Sequence, residues 1–463
     1  MPLFIAVMAL LAASARAGMF AAISLAPDDL PDGVAFAVGA PTKRGALFGQ
    51  TEPWEPRIDN GYPNVVPPTD ASPSWQLFYG DCARGCETQV LLYANSSDGF
   101  AWTKPRLGLF DLGSIGLAGG TANNVVVAGG GLGVYYDAAE PDASKRYKGF
   151  GPAAWDGGVA RFEAGRWTGI GLADLATSPD GLRWTGAGAV DWPDPQRYDC
   201  HNNLFRDGPS GRYVATTREG FGGPVGRAVG VAASSTGFAF DAAVAPVETL
   251  AGDASAQLYS QVTFPWLNVY IGIVMVYDAE SAAGRVHCRL AWAPEPRAGW
   301  RWVAGDAASA PDLVPLGGDG AFDSHVCFAA ASPASWDGET RIYYMGGDGP
   351  HSGVRNSSFG VATLREDGYA GVSGYGAFAL RPVLCENATL LITADVRPGG
   401  SLRVGAAVPG LGVDDAVPLE ADATAAAAAF RGGGNFAGLV GSSVALEVEL
   451  VDATLYAVGW GAG

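Results

Sequence analysis

The sequence is short of positive charge. Its 463 residues include 29 lysines and arginines against 47 aspartates and glutamates, and the formal net charge is -18. No run of basic residues occurs in the chain. A surface that binds nucleic acid or an anionic membrane has to neutralise phosphates with lysine and arginine. The composition therefore excludes both as expected partners.

Long apolar runs are also missing after the N-terminus, where no stretch reaches the ~18 apolar residues that a membrane-spanning helix needs. The apolar run at 3–13 has the length of a signal-peptide core, and residues 15–17 place alanines at the two positions that signal peptidase reads. A buried first strand is the alternative, because no lysine or arginine precedes the run. We expect a signal peptide at 1–17, cleavage after Ala17, and a secreted or lumenal protein.

Cysteine is sparse, and its use fits an oxidising compartment. The six cysteines are Cys82, Cys86, Cys200, Cys288, Cys327 and Cys385. Cys82 and Cys86 form the nearest local pair; as a metal site, this spacing lacks the second Cys/His pair that zinc sites use. Glycosylation sequons at Asn95, Asn356 and Asn387 agree with a secreted glycoprotein. We predict disulfides and no metal or cofactor in the active site.

Glycine, proline and tryptophan are abundant (67, 30 and 13 residues), which is typical of short aromatic strands joined by many turns. A three-part pattern occurs five times: a polar start with an apolar strand, a strand rich in tyrosine and phenylalanine, and a segment related to Ser-x-Asp-Gly-x-x-Trp. The polar starts recur every ~60 to 75 residues. They lie at 59–64, 121–124, 199–203, 259–261 and 323–325, and the middle strands at 75–79, 146–150, 211–215, 269–273 and 341–345.

The repeats predict an all-β fold, a five-bladed β-propeller over 27–383, with an ordinary β-sandwich as the alternative. After Cys385 the Asp-Gly-Trp element disappears and alternating strands are expected at 389–396, 401–407 and 444–460. We predict a small C-terminal β-sandwich over 385–463. The alanine-rich run at 421–430 is interpreted as a connection between its strands.

In a propeller the starts of the inner strands converge on one end of a central channel, where a ligand binds. Carboxylates gathered there have their pKa values driven apart, as acid and base catalysis requires. The catalytic candidates are Asp59, Asp199, Glu219 and Asp323. The substrate-binding candidates are Asn60, Asn64, Asn124, His201, Arg218, Tyr259, His325, His351 and Arg355. Turn aspartates and core histidines are the alternative interpretation of the same residues.

Parts of this pattern resemble the glycoside hydrolase family 32 N-terminal-like proteins, relatives of the invertase and arabinanase/xylosidase propellers. The resemblance covers nearly the whole mature chain and rests on Asp59-Asn60-Gly61-Tyr62-Pro63-Asn64-Val65, on Ser97-Asp98-Gly99 with Trp102 and Pro105, and on 341–372. It implies a five-bladed propeller with a carbohydrate in its axial funnel.

In active invertase-like members, blade one supplies an aspartate nucleophile, blade two an Arg-Asp-Pro aspartate and blade three a Glu-Cys glutamate. Asp59 matches the first position, whereas Asn123-Asn124 and Asp199-Cys200 stand at the second and third. In some related propellers a histidine near the axis is the acid or helps to hold a central cation. The resemblance therefore admits His201 and His325 as substitutes and a structural cation on the axis.

Two functions follow from these residues. The first is a secreted glycoside hydrolase that cuts an oligo- or polysaccharide, with Asp59 as base or nucleophile, Asp199 as stabilising carboxylate or acid, and Glu219 as a further acid candidate. The second is a carbohydrate-binding propeller without turnover. Retention or inversion of configuration depends on the carboxyl separation, which the sequence leaves open.

Overall fold

The structure is a computed structural model. It describes residues 18–84, 86, 88–155, 160–163, 166–169, 173–188, 201–223, 226–235, 245–246, 250, 252–297, 299–331, 333–353 and 355–461. The predicted signal peptide, Asp199 and Cys200 lie outside these residues. The chain divides into two compact units: Met1–Ala40 with Pro265–Tyr270 and Leu364–Gly463, and Pro41–Phe264 with Ile271–Thr363. The predicted domain limits, 27–383 and 385–463, stay predictions.

The described residues are almost entirely β-structure, which confirms the all-β prediction. The described helices are one α-helix, α1 (Ala22–Leu25), and three 3₁₀ turns at Leu112–Ile115, Ala143–Lys145 and Ala437–Leu439. In the described part of the chain, no helix is long and apolar enough to cross a membrane.

The strands before residue 250 form three antiparallel sheets and a separate hairpin. Ahead of them lie β1 (Met19–Ala21), β2 (Val34–Val38) and β3 (Thr42–Gly49). The first sheet contains β4 (Asn64–Val66), β5 (Trp75–Arg84), β6 (Thr88–Ser96), β7 (Trp102–Thr103) and β8 (Val125–Ala128). The second contains β9 (Gly133–Tyr136), β10 (Tyr147–Ala153), β13 (Ala173–Ser178) and β14 (Thr185–Gly188), with the hairpin of β11 (Ala160–Glu163) and β12 (Arg166–Gly169) apart from it. The third contains β15 (Asn203–Arg206), β16 (Tyr213–Gly223), β17 (Gly226–Ser234) and β18 (Ala245–Pro246).

A larger sheet follows, in the order β19-β20-β21-β24-β26-β27-β3. Its strands are β19 (Ala256–Trp266), β20 (Val269–Asp278), β21 (Val286–Ala293), β22 (Arg301–Trp302), β23 (Asp312–Val314), β24 (Val326–Ala329), β25 (Ala334–Trp336), β26 (Glu339–Gly347) and β27 (Ser357–Arg365). Strands β21 and β24 pair in parallel at one position, Val286 with Val326, and a disulfide joins Cys288 to Cys327 on the same strands. The early strand β3 pairs with β27.

The predicted middle strands are confirmed. The segments at 75–79, 269–273 and 341–345 lie within β5, β20 and β26, and those at 146–150 and 211–215 begin one and two residues before β10 and β16. One polar start is misplaced in the prediction, because Asn124 precedes β8, which pairs with β6 of the first sheet, while the second sheet begins at β9. Closure of the sheets into five blades stays a prediction.

The Asp-Gly-Trp element folds as a specific turn, which explains its recurrence. At its first occurrence the Asp98 carboxylate accepts hydrogen bonds from the backbone N–H of Phe100 (2.7 Å) and Ala101 (2.8 Å). Gly99 adopts φ +81°, which favours glycine, and the Trp102 indole N–H donates to its carbonyl at 3.1 Å. The second occurrence, at 178–184, repeats these bonds through Asp180, Gly181 and Trp184.

The unit that contains the C-terminus is built on a six-stranded sheet with the order β2-β28-β33-β30-β31 and with β1 beside β33. Its strands are β28 (Ala370–Ala379), β29 (Val383–Leu384), β30 (Thr389–Ala406), β31 (Ala423–Ala427), β32 (Ser443–Val444) and β33 (Leu446–Gly461), of which β29 and β32 form a separate pair. Its core includes Leu390, Leu402, Leu446, Leu455 and Trp460. The interpretation of 421–430 as a connection is wrong, because β31 pairs with β30 there.

Candidate functional site

The candidate site is centred on Asp59, whose carboxylate lies between two guanidinium groups. Arg57 approaches Oδ1 of Asp59 with Nε at 2.8 Å and Nη2 at 2.6 Å. Arg355 Nη2 lies 3.2 Å from the same oxygen and 2.8 Å from the Asp59 carbonyl oxygen. The Asp59 side chain is 27% exposed and that of Arg355 is 0% exposed. The Asp59 carboxylate is therefore partly accessible to solvent, and it forms an ion pair with the buried guanidinium group of Arg355.

Asn60 connects this ion pair to two tyrosines. Its Oδ1 accepts a hydrogen bond from Arg355 Nη2 at 2.8 Å, and its Nδ2 donates to the hydroxyls of Tyr62 (2.6 Å) and Tyr259 (3.0 Å). Asn60 is buried. Tyr62 has φ +39°, a conformation that is uncommon for a residue with a side chain and that clusters at functional sites. Through Arg355 and Asn60, this network connects Asp59 to Tyr259 on β19.

Aromatic rings and arginines form the next layer. Arg218 lies over the Tyr259 ring at 4.5 Å, and Arg227 lies over the rings of Tyr259 and Tyr277 at 5.0 and 5.2 Å. The His351 ring is 4.8 Å from that of Tyr259 and 4.9 Å from that of Tyr277. We call Arg57, Asp59, Asn60, Tyr62, Arg218, Arg227, Tyr259, Tyr277, His351 and Arg355 the rim cluster.

His351, in the rim cluster, and His201, beside it, are neutral at pH 7. Burial, together with the positive charges of the nearby arginines, lowers the pKa of His351 to about 3. Burial alone lowers the pKa of His201 to about 3; its ring lies 5.4 Å from that of Tyr62. Neither ring nitrogen of His201 has a hydrogen-bond partner among the described residues. At neutral pH, both rings can donate or accept a hydrogen bond without carrying charge.

A buried carboxyl group that we did not predict lies near Asp59. Asp81, on β5, is 2% exposed, and neither of its carboxyl oxygens has a hydrogen-bond partner among the described residues. Burial, together with the negative charges of Glu55 and Asp59, raises its pKa to about 8. At neutral pH Asp81 therefore holds a proton beside the rim cluster. In the sequence, Asp81 lies two residues after the predicted middle strand at 75–79 and directly before Cys82.

The structure brings together most of the predicted site residues that it describes. Asp59, Asn60, Arg218, Tyr259, His351 and Arg355 belong to the rim cluster, and His201 packs against it through Tyr62. The sequence interpretation did not include four members of the rim cluster as site residues: Arg57, Tyr62, Arg227 and Tyr277. A positional signal exists for Tyr277, since it lies at the end of middle strand β20, next to its last residue.

Two predicted ligand-binding asparagines instead hold the sheets together. Asn64 donates to the carbonyl oxygens of Tyr62 (3.0 Å) and Leu132 (2.9 Å) and accepts from the Val134 N–H at 3.0 Å, which links β4 to β9. The Asn124 amide accepts from the Trp54 indole (2.8 Å) and donates to the Tyr79 hydroxyl (3.0 Å) and the Tyr93 carbonyl oxygen (2.8 Å). Both asparagines are buried. Their contacts are structural, and a role in substrate binding stays a prediction without support from the geometry.

Asp323 and His325 also make contacts outside the rim cluster. The Asp323 carboxylate is 2% exposed; it pairs with Lys43 Nζ at 2.7 Å and accepts a hydrogen bond from the Tyr344 hydroxyl at 2.8 Å. His325 Nδ1 lies 2.9 Å from the Ser324 hydroxyl. These are contacts of a buried ion pair and of a local turn. Catalytic or binding roles for the two residues stay predictions.

Replacing Asp323 by alanine is expected to lower the free energy of unfolding by about 2 to 4 kcal/mol, because Lys43 and the buried Tyr344 hydroxyl lose their acceptor. Urea denaturation of the variant and of the wild type measures this change. An Asp323→Ala variant with the stability of the wild type would contradict the structural role of the ion pair.

Two catalytic candidates remain. Asp199 lies outside the described residues, and the backbone of Glu219 follows Arg218 on β16 and pairs with Ala228.

A metal is not supported at Asp59. The described group of possible ligands there consists of Asp59, Cys82 and Cys86, and the two cysteines are joined in a disulfide. Sulfur atoms in a disulfide are not thiolate ligands.

Comparison with known proteins gives structural likeness only. No protein-family model and no curated protein sequence matches the chain. Among solved structures, an N-acetylgalactosamine deacetylase from F. plautii, in complex with blood group B trisaccharide, aligns with a TM-score of 0.45 and 14% identity over 72% of this chain and 95% of that one. An α-L-arabinofuranosidase from Podospora anserina, in complex with cellotriose, aligns with a TM-score of 0.43 and 12% identity over 71% and 98%. The catalytic domain of a GH62 α-L-arabinofuranosidase from Coprinopsis cinerea gives 0.41 and 15% over 71% and 97%.

Proposed function

We propose that the chain is a secreted or lumenal glycoside hydrolase-like protein, with a five-bladed propeller that binds an oligo- or polysaccharide at the rim cluster and cuts its glycosidic bond. The observation that carries the proposal is the partly exposed Asp59 carboxylate, which binds Arg57 and Arg355 and precedes Asn60, whose amide donates to the hydroxyls of two tyrosines. Tyrosine rings offer an apolar face to sugar C–H groups and a hydroxyl to sugar oxygens. The resemblance of the Asp59 segment to family 32-like proteins agrees with this assignment.

In the proposed reaction Asp59 acts as the base or nucleophile. Its oxygens are partly exposed, so that a water molecule or an anomeric carbon can approach them. The acid is assigned to blade three, where Asp199 and Glu219 are the candidates. Arg218, which directly precedes Glu219 on β16, packs on Tyr259, and this contact supports a place for that strand at the rim cluster. Asp81 keeps its proton and so adds no second negative charge beside Asp59.

A carbohydrate-binding protein without turnover is the second candidate. The observation in its favour is that Arg57 and Arg355 already engage Oδ1 of Asp59. A carboxylate oxygen bound by two guanidinium groups offers less electron density to a water molecule or a carbon atom. The hydroxyls and arginines of the rim cluster would then act only as ligand contacts.

Product analysis separates the two functions. The purified protein is incubated with nitrophenyl arabinofuranoside, xyloside and galactoside and with arabinan, xylan and fructan, and the release of nitrophenol or reducing sugar is measured. Turnover of at least one substrate is expected. Saturable binding of a saccharide in the same panel without any turnover would reject the hydrolase and retain the binding protein, whereas neither binding nor turnover would reject both.

A further inference from the structure

The rim cluster concentrates positive charge in a protein of net charge -18. Four arginines lie close enough to His351 for each of them to lower its pKa: Arg355, Arg227, Arg218 and Arg57. Asp59 is paired with only two of them, Arg57 and Arg355. Arg227 donates instead to an uncharged acceptor, the side-chain oxygen of Gln257, at 2.6 Å. Among the described contacts, the three guanidinium groups of Arg57, Arg227 and Arg355 therefore have one carboxylate, that of Asp59, as an ionic partner.

Several buried donors of the cluster also lack acceptors. Nε of Arg227, Nε of Arg355 and Nδ1 of His351 are buried and have no hydrogen-bond partner among the described residues. Arg355 and His351 are themselves more than nine-tenths buried. Buried polar atoms in folded proteins are nearly always paired, so unpaired donors at one place indicate that a ligand supplies the acceptors. Acceptors matched to guanidinium groups are the oxygens of planar or tetrahedral anions.

We propose that the rim cluster binds the anionic group of an acidic saccharide, a carboxylate or a sulfate ester. The inference rests on the proposed function, because it takes the ligand to be a saccharide. Arg57, with a side chain that is 41% exposed, and Arg227 bind the anion, while the partly exposed ring of Tyr277 packs beside the sugar. His351 contributes a hydrogen bond and no charge.

Binding of three small probes tests the charge requirement. The probes are methyl β-D-glucuronide, its methyl ester, and methyl β-D-glucoside 6-sulfate, titrated into the full chain and followed by saturation-transfer NMR. At least one anionic probe is expected to bind about tenfold more tightly than the neutral ester. Its affinity is expected to fall as sodium chloride rises from about 0.05 to 0.5 M, because salt screens exposed charge. Preference for the uronate identifies the carboxylate as the recognised group, and preference for the 6-sulfate identifies the sulfate.

Substitutions of the accessible arginines locate the effect. Arg57→Gln and Arg227→Gln are each expected to weaken the preferred anionic probe by about tenfold and the neutral ester by less than about twofold. Arg183→Gln is the matched control, since Arg183 is 72% exposed and pairs with Asp180 in a surface turn; the affinity of this variant is expected to equal that of the wild type. Thermal unfolding shows that each variant is folded.

The outcomes distinguish this inference from the function on which it rests. Equal affinity for the anionic and neutral probes, or loss of affinity in Arg183→Gln equal to that in Arg57→Gln, overturns the anion site and leaves a neutral saccharide as the ligand. Failure of all three probes and of every saccharide in the hydrolysis panel to bind rejects the proposed function together with the inference.

Discussion

Asparagine in place of Asp59 is expected to reduce glycoside hydrolysis by about 10³-fold, since the amide can neither accept a proton nor form a glycosyl ester. The fold is expected to survive the change. Arg355 keeps its hydrogen bonds to the Asp59 carbonyl oxygen and to Asn60 Oδ1, and both of these acceptors remain in the variant. The measurement is kcat on the substrate that the wild type turns over, together with the affinity for that substrate in a titration.

Asp70→Asn is the matched control. Asp70 is also an aspartate that forms an ion pair with an arginine; its side chain is 63% exposed, and its partners, Arg146 and Tyr136, are outside the rim cluster. The two variants change the net charge equally, so a fall in kcat only for Asp59→Asn assigns the effect to the site. Hydrolysis at the wild-type rate by Asp59→Asn would contradict the assignment of Asp59 as base or nucleophile.

The strands of the sheets could be predicted from the sequence because their signals are local. An Asp-Gly turn requires an aspartate that accepts backbone N–H groups and a glycine at positive φ, and Asp98 with Gly99 supplies both. A tyrosine-rich segment between two such turns favours a strand, because aromatic side chains are enriched in β-structure. Pairings between distant segments are not local: β2 pairs with β28, more than 300 residues later, and no short pattern specifies that partner.

The sequence predicted which segments contribute to the candidate site. It did not predict which polar residues of those segments belong to the site and which hold strands together. Asn60 and Asn64 are both polar residues at a strand start, yet Asn60 binds Arg355 and two tyrosines whereas Asn64 links β4 to β9. The difference depends on distant partners: Arg355 is 295 residues from Asn60, whereas Leu132 and Val134 are 68 and 70 residues from Asn64. Asp323 is a similar case, since its partner Lys43 comes from the start of the chain.

The pH dependence of stability should change markedly when Asp81 is replaced by asparagine. Burial raises the pKa of Asp81 to about 8 in the folded protein, whereas an exposed aspartate in the unfolded chain titrates near 3.9. Between these two values the folded state binds a proton that the unfolded state has lost. The wild type therefore has the full contribution of this group below about pH 4 and loses it progressively as the pH rises to about 8.

The loss amounts to roughly four pKa units, on the order of 5 kcal/mol, and an asparagine does not titrate. The free energy of unfolding of Asp81→Asn, relative to that of the wild type, is thus expected to increase from pH 4 to pH 8 when both are measured by urea denaturation. Asp323→Asn is the control, because Asp323 is as buried as Asp81 but has Lys43 and Tyr344 as partners, and its replacement is expected to destabilise the protein at pH 8. Parallel pH profiles for Asp81→Asn and the wild type would show that Asp81 is ionised in the folded protein, and the carboxyl beside Asp59 would then be a second negative charge in the site.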